Sequence, residues 1–216
     1  MTLIDNIEFE CSVCHKSSRQ PVLMSTNSFG APDLDLRPSE MQRSTMNTWI
    51  MECPHCGHVA PKLDDESKIS EDFLKTDKYL NCDGFEFERD LAGRFFKGYL
   101  ICKKTDNTRG CFFNLLYCAW VCDDANDSEN AKKIRMLAID YLDQLIQEDS
   151  DEKNSFLLMK ADLLRRSGNF TQVVEEFKDF IIGDELLDRI MTFQVLKSRE
   201  NDDACYTVKD VKDNLE

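Results

Sequence analysis

The sequence predicts an α+β protein that is mainly helical, with a small N-terminal β module followed by antiparallel helical hairpins. Two Cys-x-x-Cys pairs lie close to the N-terminus and predict a compact module around a metal ion. From about residue 66 the apolar residues recur with a helical period. Glycine and proline are scarce, at 8 and 5 residues, which favours helices over turn-rich β structure. We therefore place the β module at 1–64 and the helical domain at 65–216.

The two cysteine pairs are Cys11-Ser-Val-Cys14 and Cys53-Pro-His-Cys56, separated by 38 residues. A turn of this spacing places two thiolates about one tetrahedral edge apart, and its backbone N–H groups donate to the sulfurs. Two such turns supply the four sulfur ligands that Zn²⁺ prefers, at about 2.3 Å each. Four thiolates leave no coordination position for water, so we expect a structural zinc ion that folds a zinc-ribbon module.

Other chemistry is open to these four cysteines. Iron also takes four-sulfur sites, and unmetallated thiols or a thioredoxin-like redox pair use the same spacing. A redox pair belongs between a strand and a helix of a βαβ unit, and the surrounding sequence has no such pattern. The chain begins without a secretory signal, so its ten cysteines indicate reduced thiols and a cytoplasmic protein. Zinc is therefore the favoured occupant.

The three histidines, His15, His55 and His58, all lie in or beside the cysteine turns. They either join a mixed cysteine–histidine site or serve as turn residues and donors to the thiolates. We favour the second interpretation because four cysteines already complete a zinc site. Gly57 follows the second pair where the chain must reverse with positive φ, which glycine does without strain. His15 occupies the same slot after the first pair, and histidine is enriched among side-chain-bearing residues at positive φ.

Three segments of the β module have the alternating or β-branched apolar residues of strands: Ile7–Glu10, Gln20–Ser25 and Thr45–Glu52. The segment 26–45 is rich in loop-forming and charged residues, and it is longer than most connections. Five of its side chains are candidates for a small polar recognition site: Asp33, Asp35, Arg37, Glu40 and Arg43. The alternative is a solvated loop whose charges pair with one another on the ribbon.

The helical domain begins with a short helix and a turn, and longer apolar helices follow. Ile69 and Phe73 predict a short connecting helix, a turn follows at 81–85, and a longer helix is predicted over 87–104. The next helix is apolar on all sides, so we expect it at the centre of the domain. A second metal site there would need a partner pair of ligands. We therefore predict that three cysteines of this helix are small core side chains: Cys111, Cys118 and Cys122.

Further helices carry apolar stripes that begin at Ile134, Leu157, Val173 and Leu187. A faint internal repeat relates these helices at an offset of 42 residues, matching Ala119, Asn126 and Ala131 to Ala161, Gly168 and Val173. The stretch 159–177 is typical of a tetratricopeptide repeat, in which a small residue lies where two helices cross and a glycine turns the chain. The offset exceeds the roughly 34 residues of that repeat. We predict stacked, tetratricopeptide-like hairpins, with an ordinary helical bundle as the alternative.

Three segments resemble an uncharacterised bacterial protein family: STNSFGAPDLDLRPSEMQRSTMNTWIMECPHCGHVAP (25–61), AWVCDDAND (119–127) and LLMKADLLRRSGNF (157–170). Together with the first cysteine turn, the resemblance spans most of the chain, and its cysteine motif is specific. Members of that family pair an N-terminal zinc ribbon with a tetratricopeptide-like tail. The resemblance implies a cytoplasmic bacterial protein with a bound zinc ion, no assigned activity and no catalytic residues. The chain departs from the family at His15, where such turns usually carry glycine.

Charge narrows the classes of function. The formal net charge is −14, of which residues 1–62 contribute −2 and residues 63–216 contribute −12. An acidic surface repels phosphate backbones and anionic lipid, so the helical domain is a poor nucleic-acid or membrane binder. The longest apolar stretch, 111–122, is too short to span a bilayer.

The favoured hypothesis is a non-enzymatic, zinc-binding adaptor or scaffold whose helical domain binds a partner protein. No nucleophile–base pair or phosphate loop is visible in the sequence, so we assign no catalytic residues. Nucleic-acid binding by the ribbon is the second hypothesis, opposed by the near-neutral charge of that module. It would use Trp49 for stacking and four basic side chains for phosphate: Lys16, Arg19, Arg37 and Arg43. The third hypothesis is an enzyme that uses the carboxylates of the 26–45 loop for acid–base chemistry.

Overall fold

The computed structural model describes residues 1–148 and 151–213, which are mainly helical with small antiparallel sheets in the N-terminal part. This confirms the α+β class with helices in the majority. The strands are β1 Leu3–Glu10, β2 Ser17–Ser25, β3 Met51–Glu52 and β4 Val59–Ala60. The helices are α1 Glu71–Leu74, α2 Asp77–Leu80, α3 Asp90–Lys104, α4 Thr108–Asp124, α5 Ser128–Glu148, α6 Lys153–Arg166, α7 Phe170–Phe177, α8 Glu185–Arg199 and α9 Val208–Asp213.

Strands β1 and β2 form an antiparallel hairpin around the first cysteine turn. Phe9 of β1 and Val22 of β2 pack against a small core beside the cysteines. The sequence predicted that this strand begins at Ile7, but β1 begins four residues earlier, at Leu3. Polar residues weaken the strand signal before Ile7, but they are well tolerated on an exposed edge strand.

The predicted strand Thr45–Glu52 is wrong over most of its length. A 3₁₀ helix occupies Arg43–Thr48, and only Met51–Glu52 is extended and paired with β4. Met46 and Ile50 are both buried, at a spacing that suits a helical turn. The β-branched threonines gave a misleading strand signal, because the Thr45 and Thr48 hydroxyls donate to the carbonyls three residues back, which suits a helical turn.

A segment from the far end of the chain holds the loop before this 3₁₀ helix. The Leu34 N–H donates to the Tyr206 carbonyl at 2.9 Å, and the Val208 N–H donates to the Pro32 carbonyl at 3.0 Å. Leu34 is only 3% exposed and belongs to the main core. The loop is therefore packed between the rest of the chain and a C-terminal segment.

Short capped helices lead from the cysteine-bearing part into the long helices. Ser70 and Thr76 cap α1 and α2, because each side chain accepts a backbone N–H from the residue three positions on. The predicted turn at 81–85 contains a 3₁₀ turn at Cys82–Gly84. The helix predicted over 87–104 is α3, which begins at Asp90.

Helix α4 lies at the centre of the helical part, as predicted, and packs against α3 and α5. Cys111, Cys118 and Cys122 are at most 1% exposed, which confirms them as core side chains. None of the helices in the described part of the chain combines the length and the apolar content that crossing a membrane requires.

The two segments of the predicted repeat end their helices alike, but α3 and α8 end in the same way at Asp106 and Asn201, so this ending is not specific to the repeat. α4 is followed by Asn126 with φ 60°, and α6 by Gly168 with φ 82°. After each of them, the next N–H donates at 2.9 Å to the carbonyl five residues back, which is the hydrogen bond of a Schellman motif. Ala119 and Ala161 are fully buried ahead of these ends. The tetratricopeptide-like arrangement itself stays a prediction.

Most buried apolar side chains form one continuous core, in which Met46, Ile50 and Val59 join the helices. A smaller core of Cys11, Met51, Cys53 and Leu63 lies beside the cysteines. The division into 1–64 and 65–216 stays a prediction, and residues 149–150 and 214–216 of the second range lie outside the described part.

Candidate metal centre

The first cysteine turn closes directly after β1. The Cys11 N–H donates to the Lys16 carbonyl at 3.1 Å, and the His15 N–H donates to the Cys11 carbonyl at 2.8 Å. His15 has φ 56°, so it occupies the left-handed position predicted for it. Cys11 is fully buried by this turn, and Cys14 is half-buried.

The second cysteine turn lies between β3 and β4 and repeats this construction. The Cys53 N–H donates to the His58 carbonyl at 2.8 Å, and the Gly57 N–H donates to the Cys53 carbonyl at 2.9 Å. Gly57 has φ 74°, which matches the conformation of His15 in the first turn. The two turns therefore present their cysteine pairs with equivalent backbone hydrogen bonds.

The sulfurs of Cys11, Cys14, Cys53 and Cys56 converge, and all four lie within 4.8 Å of one another. Cys11 Sγ is 3.7 Å from Cys56 Sγ, and Cys14 Sγ is 3.7 Å from Cys53 Sγ. Each of these contacts joins one turn to the other. Among the described residues, no other group of three or more histidine, cysteine or acidic side chains is placed to hold a metal ion.

These distances fit a tetrahedral metal ion. Four sulfurs that each lie about 2.3 Å from zinc stand about 3.8 Å apart along the edges of a tetrahedron. A disulfide would instead need about 2.05 Å between its sulfurs, and all ten cysteines are free. The four sulfur donors and their spacing therefore suit a metal ion bound by four thiolates.

Backbone hydrogen bonds and burial act in opposite directions on the thiols. Burial alone would raise the pKa of Cys53, but donation from the His55 and Cys56 N–H groups outweighs it and lowers the pKa. Burial raises the pKa of both Cys11 and Cys56. A divalent ion bound among the four sulfurs would favour the thiolate form of these cysteines.

The histidines separate into one buried and two exposed side chains. His58 is 1% exposed, and its Nδ1 lies 3.8 Å from Cys11 Sγ, beside the sulfur cluster but outside it. His15 and His55 are exposed. This arrangement is consistent with His58 as a donor to a thiolate rather than as a ligand.

Polar contacts tie the second cysteine turn to the helices. The Tyr79 hydroxyl of α2 donates to the Gly57 carbonyl at 2.6 Å. Glu52 directly precedes Cys53, and its carboxylate accepts from Lys97 at 3.0 Å and lies 3.4 Å from Arg94 Nε. Helices α2 and α3 therefore help to position this turn.

The charged side chains of the 26–45 loop contact the chain itself. Asp33 is 2% exposed and pairs with Arg43, while Cys205 Sγ lies 3.3 Å from its carboxylate. Glu40 accepts a hydrogen bond from the Ser44 hydroxyl at 2.6 Å.

Asp35 and Arg37 reach across to the helices. Asp35 is fully buried, and its Oδ2 accepts from Trp120 Nε1 at 2.7 Å and from Arg166 at 3.1 Å. Burial raises the pKa of Asp35, against the opposing charge of Arg166. Arg37 is 4% exposed and donates to Asp124. Asp33 and Arg43 pair with each other, as in the alternative above, whereas Asp35 and Arg37 pair with the helices and are buried rather than solvated. A recognition role for this loop stays a prediction.

Sequence reasoning missed the partners of these loop charges. Asp123 accepts from Arg166 at 2.8 Å and also pairs with Arg135, and both arginines are less than 9% exposed. Asp35 and Arg166 are 131 residues apart, so no local pattern links them. The only sequence signal was the presence of charged residues within otherwise apolar helices.

Comparisons with models of protein families, with curated proteins and with solved structures give no significant match to this chain. The chemistry of the site is therefore argued from its own residues.

Proposed function

We propose that this protein is a zinc-binding scaffold or adaptor in which one structural Zn²⁺ ion joins the two cysteine turns. The observation that carries the proposal is the convergence of four cysteine sulfurs within 4.8 Å of one another. The equivalent backbone hydrogen bonds of the two turns support it, because such turns point their N–H groups toward bound thiolates.

The proposed ion stabilises structure and does not perform chemistry. When bound, zinc would supply four bonds between two cysteine turns that lie in separate two-stranded sheets. Cys11, Cys14, Cys53 and Cys56 would hold it, and four thiolates leave no position for a reacting water. His58 would orient the Cys11 thiolate by donating to it from 3.8 Å.

The helical part would carry the interaction with a partner protein. Ala119 and Ala161, which are fully buried at matching positions of α4 and α6, support a repeat-like, tetratricopeptide-related arrangement, and such arrays commonly present extended binding surfaces. Ten free cysteines favour a reducing compartment such as a cytoplasm. The zinc-ribbon description and a bacterial origin rest on the resemblance of the quoted segments.

Metal analysis tests the proposal directly. We expect one equivalent of zinc per chain in freshly purified protein, and a Co²⁺-substituted form with the intense thiolate-to-cobalt absorption of a tetrahedral four-sulfur site. Cys53→Ser should reduce the metal content and alter that spectrum. Cys205→Ser is the matched control, because Cys205 lies outside the sulfur cluster. Protein that contains no metal, or a cobalt spectrum of an octahedral site, would refute the proposal.

The adaptor role needs its own experiment. Chemical crosslinking in the native host, followed by mass spectrometry, should place crosslinks to one partner protein on the lysines of α5 to α8. The zinc-free Cys53→Ser variant should lose those crosslinks only if the metal orders the interacting surface. Crosslinks confined to copies of this chain would contradict the adaptor role and leave the metal site standing.

A further inference from the structure

An aromatic cavity lies between the 26–45 loop and the helices, and the metal site does not use it. Its volume is about 250 Å³. Its walls include Trp49, Phe113, Tyr117 and Trp120. The Trp49 and Tyr117 ring centroids are 5.3 Å apart, and those of Tyr117 and Trp120 are 5.1 Å apart. These rings pack against one another, so the walls of the cavity are formed by contacting aromatic side chains.

Two polar side chains that line the cavity have no hydrogen-bond partner among the described residues. Tyr117 and Gln42 both line it. Neither the Tyr117 hydroxyl nor the Gln42 amide has a hydrogen-bond partner within residues 1–148 and 151–213. A ligand that offers a donor or an acceptor can therefore be recognised without breaking an internal hydrogen bond.

The charged groups around the cavity are already neutralised. Asp35 lines the cavity, but its carboxylate accepts from Trp120 and Arg166. The Arg37 guanidinium lies 5.7 Å from the centre of the Trp120 ring and supplies a cation to it. Arg37 is paired with Asp124, and Asp35 is paired with Arg166, so neither charge is left to attract an ionic ligand and the surroundings favour a neutral one.

The rim of the cavity carries an exposed apolar side chain on a strained backbone. Leu36 lines the cavity, is 53% exposed and has φ 66°. Left-handed backbone is unfavourable for a leucine, and such conformations persist where the surrounding structure enforces them. Leu36 is thereby held at the mouth, where it can cover one face of a bound ring.

We propose that this cavity binds one neutral aromatic ring that carries a hydrogen-bonding substituent, such as a phenol or an indole. Its volume is below the range of about 300–1,000 Å³ typical for drug-sized ligands, which suits a single ring system. The ring would stack among the aromatic walls, and its substituent would meet Tyr117 and Gln42. The ring can belong to a free small molecule or to an aromatic side chain of a polypeptide.

The chain reports on this cavity by its own fluorescence, because Trp49 and Trp120 are its only two tryptophans. We expect p-cresol, titrated with excitation at 295 nm, to change tryptophan emission saturably in the millimolar range or below. Cyclohexanol tests whether an aromatic ring is needed, and tetramethylammonium tests whether a cation binds instead. Both should leave the emission unchanged.

Variants then distinguish the contribution of the ligand's ring to binding from that of its hydrogen-bonding substituent. Combining Gln42→Leu with Tyr117→Phe should weaken p-cresol binding about fivefold or more, as loss of one hydrogen bond predicts, and leave toluene binding unchanged. Tyr141→Phe is the matched control, because the Tyr141 hydroxyl pairs with that of Tyr99 at 3.4 Å. The tripeptide acetyl-Ala-Tyr-Ala-amide identifies the source. Binding tighter than that of p-cresol indicates a polypeptide, and weaker binding indicates a small molecule.

Three results would overturn the proposal: no saturable response to p-cresol or indole up to their solubility limits, equal affinity for cyclohexanol, or preference for tetramethylammonium. Calorimetric titration repeats the comparison without relying on fluorescence. Zinc content is measured on the same samples. Ring binding in protein that lacks metal, or metal in protein that binds no ring, would distinguish failure of one proposal from failure of the other.

Discussion

The two cysteine turns place different residues in the same conformation. Gly57 and His15 both have positive φ, at 74° and 56°, and both donate to the carbonyl of the first cysteine of their turn. The spacing of the cysteines predicted this slot, because a Cys-x-x-Cys turn must reverse the chain directly after the second ligand. Positive φ could be predicted at this position because few residue types tolerate that backbone conformation, and glycine and histidine are among them.

Substitution at this slot should have opposite effects in the two turns. Gly57→Ala should cost about 1–2 kcal/mol of unfolding free energy from backbone strain alone, because, apart from the adjoining residues, nothing in the described part of the chain lies within 4 Å of the added Cβ. His15→Gly should be neutral or slightly stabilising, since the His15–Glu10 contact it removes is well exposed. Urea unfolding of metal-loaded protein measures both. A Gly57→Ala variant as stable as the parent would contradict the strain argument.

The buried carboxylate of Asp35 should matter far more than an exposed one. Asp35→Ala leaves the Arg166 guanidinium and the Trp120 N–H without this acceptor, and we expect a loss of about 3 kcal/mol. Asp203→Ala removes an exposed contact with Lys132 and should cost less than about 1 kcal/mol. Chemical unfolding compares the two. Equal losses would show that the buried network contributes no more than a surface pair.

At the scale of the element, helices were predicted better than short extended segments. An apolar pattern that repeats over several turns is a redundant signal, and each of the helices α3 to α8 was predicted from such a pattern. The segment 45–52 lacked that redundancy, and its threonines and Trp49 suit a strand as well as a 3₁₀ turn. What decided its conformation is the burial of Met46 and Ile50 against helices far along the chain, which the local sequence does not encode.

Helix α3 contains two glycines that should respond oppositely to alanine. A Cβ on Gly98 would lie 2.4 Å from Asn114 Oδ1 and 2.9 Å from Ile50 Cδ1, where α3 approaches α4 and the residues before β3. Gly98→Ala should therefore cost about 1–3 kcal/mol through overpacking. A Cβ on Gly93 meets only ordinary contacts, at 3.7 Å and beyond, so Gly93→Ala should stabilise the helix by up to about 1 kcal/mol.

Thermal unfolding followed by circular dichroism at 222 nm measures both glycine variants. Gly98→Ala should lower the midpoint and Gly93→Ala should raise it. If Gly98→Ala also raised the midpoint, the close approach of α3 and α4 would be looser than described.

At the scale of the whole molecule, residues beside the second cysteine turn pack into the main core with the helices, although a smaller core lies at the cysteines themselves. Met46, Ile50 and Val59 pack with the helices, and Asp33, Asp35 and Arg37 are buried against the chain that follows them. The four metal ligands were readable from their spacing. The packing that surrounds them was not, because pairs such as Asp35 and Arg166 form across 131 residues and leave no periodic pattern.

This shared core predicts that metal removal affects the entire molecule. Chelation of a bound zinc ion should lower the midpoint of a single thermal transition, seen alike by helical circular dichroism and by tryptophan emission. Calorimetry of metal-loaded and chelated protein checks this, and re-addition of zinc should restore the original midpoint. Two separate transitions, with the helical one unmoved by the chelator, would show instead that the parts unfold independently.

The hydrogen bonds from Leu34 to Tyr206 and from Val208 to Pro32 also limit when the 26–45 loop can reach its final structure during synthesis. At a synthesis rate of about 5–20 residues per second, roughly 10–30 s pass between the emergence of these two segments from the ribosome. The cysteines emerge much earlier, so a metal ion can be captured while the loop between the turns still lacks its final partner. The nascent N-terminal segment must therefore remain soluble, with its carboxylates hydrated, until residues 206–208 have been synthesised.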